Sequence, residues 1–414
     1  MRFFHKYQNH TTFENKQIPS RKPEVTLCSI EGNKRNGMHY NYLPYDAEIE
    51  YLESTGTQYI DTGINADSNM GFSMIYSFTD LSNDNYSRVG AIRQSGSNYI
   101  RHHTTRTGTG SNIQYMLPIL VKELANATNK HTLVLDTVNS SIGYDGNFTT
   151  YNEAAFDCNL NYYLFARNNY LDNTASITCA KIKIYQVKIY SNGVLVRDFI
   201  PVRVGSTGYM YDKVSKRLFG NSGTGNFTLG QDIIPIEYIR STAKTQYINT
   251  GVKACMNKIR CICDMAPMNT TDSAFFGSRG TYYLFYCVGS NYFWPISKCN
   301  TINGTLQTNK KYHIDWNKGN FTLTGENGVY QQGSRSNTTQ DGNPMYIFNF
   351  NPIDGNGRYG NAKLYYFKIY VDNVLVRDFS PVRVGTVGYL FDKVNRQLYG
   401  NAGSGAFTLG PDIT

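Results

Sequence analysis

No stretch of the sequence is apolar for long enough to span a bilayer as a helix. The longest apolar run, Met116 to Val121, is interrupted by Pro118 and followed at once by Lys122 and Glu123, against the roughly 20 residues a spanning helix needs. No membrane insertion is expected. The first ten residues, Met1 to His10, have neither an apolar core nor a small-residue cleavage site, so no secretory signal peptide is expected. Charge is sparse as well. Only 17% of residues are charged and the formal net charge of +9 is scattered, which argues against nucleic acid as a partner. His-Glu-x-x-His is missing, and the glycine string Gly220-Asn-Ser-Gly-Thr-Gly225 lacks the Gly-Lys-Ser/Thr ending of a phosphate-binding loop. No metal and no cofactor are expected.

The sequence is rich in Tyr (34), Phe (22) and Gly (37), and 40% of it is hydrophobic. This is enough apolar material to bury and too little charge for disorder. Aromatic and β-branched residues between Asn- and Gly-rich turns favour pleated strands over helices. The fold class read from composition is all-β.

An internal repeat organises the chain. "IEYLESTGTQYIDTGI" from Ile49 returns as "IEYIRSTAKTQYINTGV" from Ile236. "KIYSNGVLVRDFIPVRVGSTGYMYDKVSKRLFGNSGTGNFTLGQDI" from Lys188 returns as "KIYVDNVLVRDFSPVRVGTVGYLFDKVNRQLYGNAGSGAFTLGPDI" from Lys368. The division is an N-terminal segment 1–46, a first copy 47–234 and a second copy 235–414. Phe72, Met74, Tyr76 and Phe78, like Ile259, Cys261, Cys263 and Met265, follow the two-residue period of a strand with one buried face. Ser191-Asn192-Gly193 and Asp372-Asn373 are turn signals leading into the two copies of "VLVRDF".

These opening and closing motifs resemble the concanavalin A-like lectin/glucanase (LamG-type) domains carried by bacteriophages and prophages of gut bacteria. The resemblance covers both copies, about residues 48 to 414, and implies two tandem jelly-roll β-sandwiches. "KPEVTLCSIEGNKRNGMHYNY", Lys22 to Tyr42, reads as a β-hairpin. It is similar to short N-terminal segments of virion structural proteins in phages of gut Bacteroidetes, which implies an anchor. The expectation is a non-enzymatic virion structural protein, a fibre, appendage or surface-decoration subunit, made in the bacterial cytoplasm and carried on the particle. Its partners would be other virion proteins through residues 1–46, further copies of itself, and host or mucosal glycans. A glycan-degrading enzyme and a bacterial or prophage-encoded adhesin or spacer are the alternatives.

Glu48-Ile-Glu50-Tyr-Leu-Glu53 resembles the E-x-D-x-x-E cluster of retaining glucanases on this fold, where alternate carboxylates act as nucleophile and general acid. The second copy has Pro235, Glu237 and Arg240 at those places, so no catalytic residue is assigned. The eight cysteines do not pair at equivalent positions in the two copies, and buried free thiols are expected rather than a disulfide or zinc framework. His102 and His103, being adjacent, should point to opposite faces of a strand. Sugar binding needs flat apolar rings beside hydrogen-bonding groups. The residues that fit are Tyr99, Arg101, His102 and Tyr115 in the first copy and Tyr282, Tyr283, Tyr292 and Trp294 in the second.

Overall fold

The computed structural model describes residues 43–413 apart from 107–111, 256, 270–272, 279–282, 289–291, 295–301, 304–306, 327, 335–339 and 351–358. The expected N-terminal hairpin therefore lies outside the described residues. Those described form an all-β architecture of sheets that are antiparallel except where Ala166–Leu171 pairs with Gly90–Ser95, with one turn of 3-10 helix at Asp84–Ser87. No helix among them is long and apolar enough to cross a membrane.

Each copy repeats one strand plan. In the first, Lys181–Ser191 lies between Met70–Phe78 and Val194–Val204. In the second, Ala362–Val371 lies between Ile259–Pro267 and Val374–Val384. The alternating residues are buried as their period dictates, with Phe72, Met74, Tyr76 and Phe78 in one core and Ile259, Cys261, Cys263 and Met265 in the other. One core draws only on residues 49–229 and the other only on 236–409. The turns are as the Asn and Gly signals require. Asn192 and Gly193, and likewise Asp372 and Asn373, take positive φ, the geometry of a tight hairpin between twisted strands.

The closing motifs, the most distinctive part of the sequence, are consumed by the scaffold. Asp212 is fully buried, accepts from the backbone N–H of Asp198 at 2.8 Å and lies 3.8 Å from the Arg197 guanidinium. Asp392, Asp378 and Arg377 repeat this at 2.9 and 3.6 Å. Arg203 grips both oxygens of Asp232 at 2.6 and 2.5 Å, and Arg383 grips Asp412 at 2.7 Å twice. The glycine string packs as a β-loop on the opening motif. A Cβ on Gly223 would stand 2.1 Å from the Thr57 carbonyl oxygen, and one on Gly403 would stand 1.9 Å from that of Thr245. Only glycine fits there.

The two copies meet through a shared strand. Asp232–Pro235 pairs with Ala47–Ile49 of the first copy (Glu48 opposite Ile233) and with Val374–Val384 of the second (Ile234 opposite Arg383). Beside it Arg396, only 5% exposed, forms an ion pair with Glu48, lies over the Phe391 ring, and accepts at its carbonyl from the Lys130 ammonium. Just before the first copy, Tyr45 packs on Tyr211 at 5.1 Å and Asp46 donates its backbone N–H to the Arg203 carbonyl.

Candidate functional site

The first-copy residues singled out from sequence converge on one strand, Asn98–Arg106, and its neighbour Ile113–Met116. His102 and His103 do point to opposite faces. His102 turns inward, where its Nε2 meets the Met70 carbonyl at 3.1 Å and its Nδ1 meets the Tyr115 hydroxyl at 2.5 Å. Since a carbonyl can only accept, Nε2 carries the proton and Nδ1 accepts from the hydroxyl. Burial lowers the His102 pKa to about 4. Tyr115 is wholly enclosed, so it positions His102 instead of facing solvent.

His102 borders a cleft of about 220 Å³ whose walls include Asp67, Thr137, Ser140, Tyr151, Glu153 and Phe156. The volume is below the roughly 300–1,000 Å³ of drug-sized sites. It suits a single small polar group held against aromatic rings. Both carboxylates are fixed by backbone N–H groups. Asp67 accepts from Asn69 at 2.8 Å, and Glu153 accepts from Ile119 and Leu120 at 3.0 and 2.9 Å.

The other face of the strand is cationic. Tyr99, 46% exposed, lies beneath the Arg101 guanidinium at 5.9 Å, and Arg101 also donates to the Pro118 carbonyl at 3.0 Å. His103 shares this face. It stands opposite Gly90 in the strand Gly90–Ser95, and Arg167 stands opposite the same glycine from the far side. Gly90 is required by close approach, since a Cβ there would lie 2.2 Å from the His102 carbonyl oxygen. Arg167 arrives by a local reversal at Phe165, whose φ of 65° turns the chain from Asp157–Leu164 into Ala166–Leu171, which runs parallel to Gly90–Ser95.

Two of the three carboxylates of the opening motif, those of Glu48 and Glu53, take part in ion pairs. Glu48 pairs with Arg396, and Glu53 lies 3.8 Å from Lys183. Cys158, Cys179, Cys261 and Cys263 are free thiols. Burial pushes the Cys158 thiol up to about 12 and those of Cys261 and Cys263 higher, which makes them inert. In the second copy Tyr283 lies on Tyr283–Val288, and Tyr292 and Trp294 lie on the adjoining Tyr292–Trp294 strand, with Trp294 opposite Tyr286. Tyr282 falls outside the described residues. Sequence reasoning missed Tyr151, Glu153 and Arg167. For Arg167 the only available signal was a lone charge in the uncharged run Tyr162 to Leu171.

No protein-family model matches this chain, and no curated protein does. Among solved structures it is similar to a "putative carbohydrate binding protein" from Bacteroides ovatus, with 10% identity and a TM-score of 0.33, covering 90% of this chain and 96% of that one. It is also similar to domains LG4-5 of the mouse laminin alpha1 chain, with 10% identity and a TM-score of 0.27, covering 81% and 92%.

Proposed function

We propose that this protein is a non-enzymatic glycan-binding component of a bacteriophage particle, with the first copy as its recognition module. The observation that carries the binding reading is the cleft beside His102, where the rings of Tyr151 and Phe156 meet the acceptors Asp67, Ser140 and Glu153. Flat apolar surface next to a few fixed polar groups is what sugar recognition needs. Its two carboxylates hold loops through backbone N–H groups, and Glu48 and Glu53 are engaged in ion pairs, so the reading assigns no nucleophile or general acid. The particle setting rests on the resemblance of the opening, closing and N-terminal motifs to phage proteins. There the segment 1–46 serves as anchor, and several copies displayed together turn weak contacts into avidity.

The test is a glycan array probed with the full chain and with Tyr151→Ala. Binding to a defined set of glycans that the variant loses, with no glycan release over time, is expected. Glycan release abolished by Glu153→Gln would replace adhesion by hydrolysis. Mass spectrometry of purified particles checks the setting, and absence of the protein from them would end the virion reading.

A further inference from the structure

The molecule's sharpest electrostatic anomaly is the face that carries His103. Arg167 is only 6% exposed, and its partner is Asn169, whose side-chain oxygen accepts from Nε at 2.5 Å. Asn169 is itself held by the hydroxyls of Ser176 and Thr178 at 3.3 and 2.9 Å, a neutral frame built around a cation. His103 is 2% exposed. Its Nδ1 bonds to the Thr104 carbonyl at 2.6 Å, while Nε2 is buried without a partner. The Nε groups of Arg88 and Arg101 are likewise buried and unpartnered. Among the described residues no carboxylate pairs with Arg88, Arg101 or Arg167.

Burying a guanidinium without a counter-charge is costly, and donors left unpaired in the same place add to that cost. A fold keeps such a face when something else brings the negative charge. The three arginines are placed by register: Arg167 and His103 flank Gly90, Arg88 precedes that glycine by two residues, and Arg101 lies two residues before His103 on the same face. The second copy departs here. Leu284 stands opposite Gly277 where His103 stands opposite Gly90, and Phe350 follows the bridge Asn349–Tyr359 where Arg167 follows the pair Ala166–Cys179.

We propose that this face of the first copy binds the anionic substituent of an acidic glycan, a carboxylate or a sulfate ester, gripped by Arg88, Arg101 and Arg167. Tyr99, exposed beside Arg101, offers its ring to the sugar that bears the charge. The inference rests on the glycan-binding reading and adds to it a second contact, for the glycan's charged group, on the strand face opposite the His102 cleft. Planar guanidinium forks match carboxylate and sulfate oxygens bidentately, and a buried site strengthens each contact.

The experiment is isothermal titration of the full chain with three probes: oligogalacturonate, a sulfated heparin oligosaccharide and neutral laminarin oligosaccharide. Thermal melting in sodium sulfate against sodium chloride at equal ionic strength accompanies it. An acidic probe should bind, weaken with added salt, and lose roughly tenfold or more in affinity in Arg167→Gln, and sulfate should raise the melting temperature only while Arg167 is present. Arg101→Gln, at a half-buried position, tests the same loss should Arg167→Gln not fold. Neutral oligosaccharide bound as tightly as both acidic ones, with neither variant altering affinity, overturns the inference and leaves the glycan reading standing. A sulfate-dependent rise in melting temperature that requires Arg167, without binding of any oligosaccharide, keeps the anion site and ends the glycan reading.

Discussion

His102 and His103 sit back to back on one strand and are both buried, and each is held neutral. Burial lowers His102 to about 4, and burial together with the arginines at positions 167, 101 and 88 lowers His103 to about 3. The unfolded chain, with histidines near 6.5, takes up protons in acid that the folded chain refuses. Stability therefore falls as pH drops below about 6.5, by about 1.4 kcal/mol for each pH unit over which one histidine is held back. Urea unfolding of the full chain at pH 7, 5.5 and 4 should show the first copy weakening stepwise. His103→Leu, the residue type the second copy has in the same register, should flatten part of that slope. A first-copy midpoint independent of pH would show that both rings protonate in place. At this scale the sequence revealed the two faces of the histidine pair, because alternation is a property of any strand. It did not reveal the arginine cluster. Residues 88, 101, 103 and 167 are joined by the reversal at Phe165, and a bulky residue at positive φ is a conformation no sequence pattern announces.

Hairpins and their buried anchors are the next level up, and here the sequence was most readable. Turn residues and two-residue periods appear twice, so each strand was marked independently in both copies. What the repeat concealed was purpose. The residues that make the closing motif so distinctive tie strands of the scaffold together, Arg197 with Asp212 on adjoining strands and Arg203 with Asp232 across the strand Ala47–Ile49. The site residues vary between copies and so left no repeated signal. Removing a buried anchor should be costly, because its half-buried arginine partner is left with no counter-charge and a backbone N–H loses its acceptor. Asp212→Ala is expected to destabilise the first copy by about 3–5 kcal/mol, and Asp392→Ala the second by a similar amount. Each should move one of two unfolding transitions, read by fluorescence in urea. A change of under about 1 kcal/mol in both would mean that the backbone network holds without the carboxylate.

For the whole molecule, the separate cores 49–229 and 236–409 lead us to propose that each copy folds alone. Residues 235–414 expressed without the rest should melt cooperatively with a β-rich circular dichroism spectrum, and an unfolded product would mean that the copies depend on each other. Residues 1–46 lie outside the duplicated sequence, and the last of them, Tyr45 and Asp46, contact the first copy. Deleting 1–42 should leave a soluble, folded protein that is no longer incorporated into particles. Normal incorporation of the truncated chain would remove the anchor.

The strand Asp232–Pro235 has a mechanical consequence. Because its first half is bonded to one copy and its second half to the other, a pull along the chain loads those hydrogen bonds sideways and together, not one after another. The junction is thus a shear joint, not a swivel. Arg396, locked against Glu48, blocks the rotation that the backbone alone would permit. The recognition face proposed for the first copy is then carried at a fixed angle to the second, and an appendage of the proposed kind would present its binding surfaces in a set direction under drag.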